Sequence, residues 1–134
     1  MGLPISEPDA VNPKEKVPSV LIAEDDPGIR LTLEVVLQEE NLDVHFASNG
    51  QEALDLARSI HPQVMVIDHM MPKKDGRTVV DELRASADTA TIPMIILSGI
   101  ARGEEQDWNG AEFLGKPFSP DELVDRIMGL LKTK

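Results

Sequence analysis

The chain has 134 residues, 41% of them apolar and 28% charged, which bounds it to one globular domain with a real core. A net charge of −11 argues against a nucleic-acid or anionic-membrane surface, since both need basic patches. The absence of cysteine excludes disulfides, zinc–thiolate sites and thiol chemistry. No signal-peptide profile opens the chain and its apolar runs are strand-sized, so no membrane insertion is expected and the cytoplasm is the expected location.

Residues 1–17 carry Pro4, Pro8 and Pro13 with scattered charges, and read as a flexible leader; the folded domain is expected over 18–134. Strand and helix signals then alternate, the mark of a parallel α/β fold. A strand over 20–23 leads into a helix with Asp26 as cap, Pro27 in its first turn and an apolar stripe of Ile29, Leu33, Val36 and Leu37. A short strand over 44–46 precedes a helix opened by Asn49, with Glu52 completing a capping box. Residues 64–67 are apolar throughout, as in a strand buried on both faces. Asp75-Gly76 reads as a turn, and the next helix carries Val79, Val80, Leu83 and Ala87. Strands follow at 94–97 and about 112–114. The segment 99–110 between them has too few apolar positions for a normal packed helix and is expected to be short or irregular. Ser119, Pro120 and Glu122 open the last helix, whose stripe is Leu123, Val124, Ile127, Leu130 and Leu131. His45, His61 and His69 show no ligand spacing and read as surface residues, Lys73-Lys74 as a solvated pair, and Trp108 as loop packing.

The strand ends carry the chemistry. Glu24, Asp25 and Asp26 follow the first strand, Asp68 the third, Ser98 the fourth and Lys116 the fifth. In an open parallel sheet the strand C-termini converge on one edge, where ligands bind. With Asp26 taken as the helix cap, three carboxylates (Glu24, Asp25 and Asp68), a hydroxyl and an ammonium gathered there suit a divalent cation and a phosphoryl group. Mg²⁺ takes oxygen ligands and is usually held by one or two carboxylates plus a phosphate. A carboxylate is also a competent nucleophile toward phosphorus.

These residues resemble the receiver domains of two-component response regulators. The matching pieces are VLIAEDDPGIR (20–30), VMVIDHMMPKKDG (64–76), PMIILSG (93–99) and GAEFLGKPFSPDEL (110–123). Pro72, Gly76, the Ser98 spacing of 30 residues beyond Asp68, and Lys116-Pro117-Phe118 fall in step together. The resemblance implies a flavodoxin-like, doubly wound five-stranded parallel sheet of order 2-1-3-4-5. It implies that Asp68 accepts a phosphoryl group from a sensor histidine kinase or phosphotransfer protein. It further implies that Glu24, Asp25, Asp68 and the Met70 carbonyl hold Mg²⁺, that Lys116 and Ser98 contact the phosphoryl group, and that Phe113 is the switch aromatic. The peptide before Pro117 is expected to be cis by the same analogy.

Three features depart from the family pattern. Ser98 and Lys116 are 18 residues apart, a short interval that falls on the helix between strands four and five. Met70 and Ile100 stand two places beyond the acceptor and the hydroxyl, where fewer polar groups would orient an attacking water, so a long-lived phosphoryl state is expected. The sequence ends at Lys134, which on this reading makes it a stand-alone receiver signalling through an unknown downstream protein, and not an enzyme acting on a metabolite. The alternatives are a phosphorylation-independent interaction module and a Mg²⁺-dependent aspartyl-phosphate phosphatase or phosphotransferase.

Overall fold

A computed structural model of the chain describes residues 17–99, 108 and 110–132. Strands β1 (Ser19–Ala23), β2 (Asp43–Ala47), β3 (Val64–Asp68), β4 (Met94–Ser98) and β5 (Glu112–Gly115) alternate with helices α1 (Pro27–Leu37), α2 (Gly50–Ile60), α3 (Gly76–Arg84) and α4 (Pro120–Lys132). All strand pairs are parallel, in the order β2-β1-β3-β4-β5. This is the doubly wound flavodoxin-like sheet, and the expected strand order is the observed one. Residues 1–16 of the expected leader over 1–17, and most of the segment 99–110, lie outside the described residues.

Because the runs 20–23, 64–67 and 94–97 within β1, β3 and β4 are apolar throughout, alternate side chains serve opposite faces. Leu21, Ala23, Met65, Ile67, Met94 and Ile96 pack with α2 and α3. Val20, Ile22, Val64, Val66, Ile95 and Leu97 pack with α1 and α4. Burial of each large aliphatic side chain contributes roughly 1.5–3 kcal/mol, so these three strands form the rigid frame on which the site rests.

Asp26 caps α1, accepting the N–H groups of Gly28 and Ile29 at 2.8 and 3.2 Å, with Pro27 at the first position. Asn49 caps α2 through the Glu52 N–H at 2.8 Å, but the Glu52 carboxylate accepts from Ser48 N–H rather than closing back on Asn49. Asp75 is a helix cap rather than a turn residue: its carboxylate accepts the Thr78 N–H at 2.9 Å. Ser119 accepts the Glu122 N–H at 3.2 Å at the start of α4.

Two further sequence expectations fail around α3. Ala87 lies beyond α3 and is exposed. The helix stops because the buried Thr89 hydroxyl donates to the Leu83 carbonyl at 2.6 Å, and Arg84 donates to the Ala90 and Ile92 carbonyls, turning the chain so that Ile92 enters the core instead. Lys74 is not merely solvated: its ammonium pairs with Glu82 at 2.6 Å, which ties the loop before α3 to that helix.

Candidate functional site

The β3–β4 register sets Asp68 beside Leu97, and the β4–β5 register sets Ser98 beside Gly115. The Ser98 carbonyl then accepts the Lys116 N–H at 2.7 Å, which carries Lys116 over the sheet edge. The peptide between Lys116 and Pro117 is cis. Glu24 leaves β1 with its N–H donating to the Ala47 carbonyl at 3.0 Å. Acids from β1 and β3 and the lysine beyond β5 therefore meet at one edge.

Glu24, Asp25 and Asp68 each offer a carboxylate oxygen, and these three atoms lie within 4.8 Å of one another. Glu24 is fully buried, Asp68 is 5% exposed and Asp25 is exposed. The Lys116 ammonium stands 3.0 Å from Asp68 Oδ1 and 3.8 Å from Glu24 Oε1. The Asp26 N–H donates to Glu24 Oε2, and among the described residues Glu24 Oε1 has no hydrogen-bond partner. Burial first, then the adjacent Asp68 carboxyl, push Glu24 up to about 7 from an ordinary value of 4.5. A buried acceptor oxygen left without a donor, between two further carboxylates, is what a hard cation would complete.

Ser98 is buried at the end of β4. The Met70 side chain is 71% exposed, while its N–H reaches Asp68 Oδ1 at 3.4 Å. Gly76 has a reason that its turn-like sequence did not disclose: a Cβ there would stand 2.7 Å from the Asp68 carbonyl oxygen, so glycine lets α3 start against the end of β3. The Gly76 N–H also donates to the His69 carbonyl at 2.9 Å. His69 is not a free surface residue; its ring meets the buried ring of Trp108, which in turn meets Phe113. His45 and His61 pair with Asp43 and Asp88, away from the site. The ring contacts and the burial of Glu24 were not readable from spacing.

Beside the acids a groove of about 700 Å³ runs between α1 and the β5–α4 loop, lined by Asp26, Ile29, Thr32, Lys116, Phe118 and Pro120 among others. Leu31 and Val35 on α1 are 61% and 56% exposed. No helix among the described residues is long and apolar enough to cross a membrane.

The response regulator receiver domain family matches residues 20–128. The chain is 38% identical over 120 residues to ycf27 of Porphyridium aerugineum, covering 89% of this chain and 49% of that protein. It is 39% identical over 119 residues to the transcriptional regulatory protein SrrA of Staphylococcus aureus, covering 84% and 47%. The chain thus spans about half the length of the curated relatives it matches. Among solved structures, the receiver domain of the Francisella response regulator 1452 superposes with a TM-score of 0.80 at 37% identity, over 87% of this chain and 99% of that one. Family match, fold and strand-edge acids agree, and the chain belongs to the response regulator receiver domain family of two-component signalling.

Proposed function

We propose that Asp68 accepts a phosphoryl group from the phosphohistidine of a sensor kinase or phosphotransfer protein, in a Mg²⁺-dependent step, and that the modified domain signals by binding another protein. The observation that carries the reading is the buried Glu24 oxygen without a donor, set against Asp25, Asp68 and Lys116.

Lys116 and the Met70 N–H both approach Asp68 Oδ1, which leaves Oδ2 as the attacking oxygen. As the new oxygen–phosphorus bond forms, the phosphorus–nitrogen bond of the donor breaks. Its electron pair returns to the imidazole, which leaves neutral when its other ring nitrogen carries a proton. Asp25, Asp68 and Glu24, with the Met70 carbonyl, would hold Mg²⁺, which supplies charge neutralisation at the phosphoryl oxygens. Lys116 places its ammonium where negative charge gathers, and Ser98 offers a hydroxyl to a phosphoryl oxygen once the modification is in place. The groove beside Lys116 and the exposed Leu31 and Val35 give a donor protein an apolar landing surface next to the acceptor. Movement of Ser98, accompanied by Phe113, is the two-state change that a partner would read.

The test is intact mass after incubation with acetyl phosphate and Mg²⁺, beside Asp68→Asn and beside a chelated sample. One phosphoryl group on the wild type alone, lost with chelation, is expected. No addition despite demonstrated Mg²⁺ binding would favour a phosphorylation-independent interaction module. Addition to Asp68→Asn would remove Asp68 as the acceptor.

A further inference from the structure

Trp108 is the chain's one tryptophan, and it is 4% exposed. Its ring stands edge-on to His69, with centroids 4.9 Å apart and planes at 78°. It stands edge-on to Phe113 as well, at 5.0 Å and 77°. From α3 the Arg77 guanidinium lies over the indole at 5.3 Å from its centroid, while the Arg77 Nε is tied to Asp81 at 3.3 Å. Three elements thus converge on one ring.

The identity of the neighbours gives this packing its meaning. His69 directly follows Asp68, and its backbone is pinned at the strand end: its N–H donates to the Leu97 carbonyl and its carbonyl accepts from Gly76, each at 2.9 Å. Phe113 sits on β5, paired with Ile96 of β4. Among the described residues His69 and Phe113 make no ring contact with each other, and the indole is the ring that touches both. Edge-to-face pairs are directional, and packed rings shift between discrete arrangements rather than deform by degrees. A change beside Asp68 that moves His69 therefore moves the indole, and the indole cannot move without vacating its contact with Phe113.

We propose that Trp108 is the positioning residue that couples the state of Asp68 to the placement of Phe113, through His69 on the acceptor side and with Arg77 holding the ring from α3. This rests on the reading of Asp68 as the acceptor. It assigns the link between acceptor and aromatic to a side chain that touches neither phosphate nor metal.

The experiment follows hydrogen exchange of the peptide spanning residues 110–118 in the wild type, Trp108→Leu and Trp108→Phe. Intact mass is recorded on the same samples before and after acetyl phosphate with Mg²⁺. In the wild type the exchange of this peptide changes on modification. Trp108→Leu is expected to take up the phosphoryl group to the same extent and to lose that change, while Trp108→Phe, which keeps an edge-to-face ring, restores it. A modified Trp108→Leu whose peptide responds as the wild type does would overturn the proposal. Should Trp108→Leu not fold, the wild type's own tryptophan emission serves, since no other tryptophan or tyrosine contributes. An emission shift on modification, absent in Asp68→Asn, is expected, and unchanged emission in a protein shown by mass to be modified overturns the coupling. If the wild type gains no mass, the Asp68 reading fails and the proposal with it.

Discussion

Glu24→Gln turns the buried carboxylate into a stability measurement. Burial, reinforced by Asp68 and opposed by the Asp26 N–H and Lys116, lifts Glu24 from 4.5 to about 7. Between those two values the folded protein holds a proton that the unfolded chain has released, so this group's contribution falls as pH rises through that window. Above it, the ionised carboxylate costs the metal-free fold about 3 kcal/mol, at 1.36 kcal/mol for each pH unit of displacement. Glutamine keeps an acceptor for the Asp26 N–H, carries no charge, and offers an NH₂ donor to the neighbouring carboxylate. In chelator at about pH 8 the variant should therefore be more stable by about 1–3 kcal/mol, or roughly 3–10 °C in Tm. The difference should shrink toward zero as pH falls below about 4, where the wild-type side chain is mostly protonated in both states. Added Mg²⁺ should reverse the order at high pH, because the wild type gains binding energy and the variant has lost a ligand. Urea unfolding followed by far-UV circular dichroism at both pH values, with and without Mg²⁺, reads all of this. A variant destabilised equally at both pH values in chelator would show that Glu24 carries no repulsive strain, and the argument for a cation at this edge would lose its main support.

Gly76→Ala forces a Cβ against the Asp68 carbonyl oxygen, so the start of α3 must shift. A loss of about 1–3 kcal/mol in urea unfolding is expected, with slower gain of mass from acetyl phosphate; normal stability together with a normal rate would contradict that close approach. Met70→Glu adds a water-orienting carboxylate at an exposed position, so stability should stay within about 0.5 kcal/mol. The phosphoryl lifetime, followed by mass, should shorten from a long wild-type value; rapid loss of phosphate from the wild type would refute the role given to Met70. Thr89→Val removes the buried hydroxyl that donates to the Leu83 carbonyl and should cost about 1–2 kcal/mol while leaving Asp68 modification untouched. A change in the rate of modification would mean that the end of α3 communicates with the site.

The architecture was largely legible because its signals are local. Unbroken apolar runs at β1, β3 and β4 can only be buried on both faces, and Asp26-Pro27 and Asn49 mark helix starts through short-range hydrogen bonds. The strand-edge acids were legible as well, since parallel strands must deliver their C-terminal residues to one edge. Ala87 was misplaced because helical periodicity continues in sequence past the point where Thr89 and Arg84 turn the chain, and that turn is made by contacts spanning six and eight residues.

The sequence by itself determined the sheet, the order of its helices and the residue types gathered at one edge. Only the tertiary structure decided how they differ there. Glu24 and Asp25 are neighbours with the same functional group, yet one is fully buried, with an oxygen that has no hydrogen-bond partner among the described residues, and the other is exposed. Solvation belongs to the assembled edge, where the end of β2 accepts the Glu24 N–H and Asp68 and Lys116 stand near its carboxylate. The meeting of His69 with Trp108 and Phe113 is of the same kind: His69 lies far along the chain from both, and the rings meet only because strand pairing sets the end of β3 near β5.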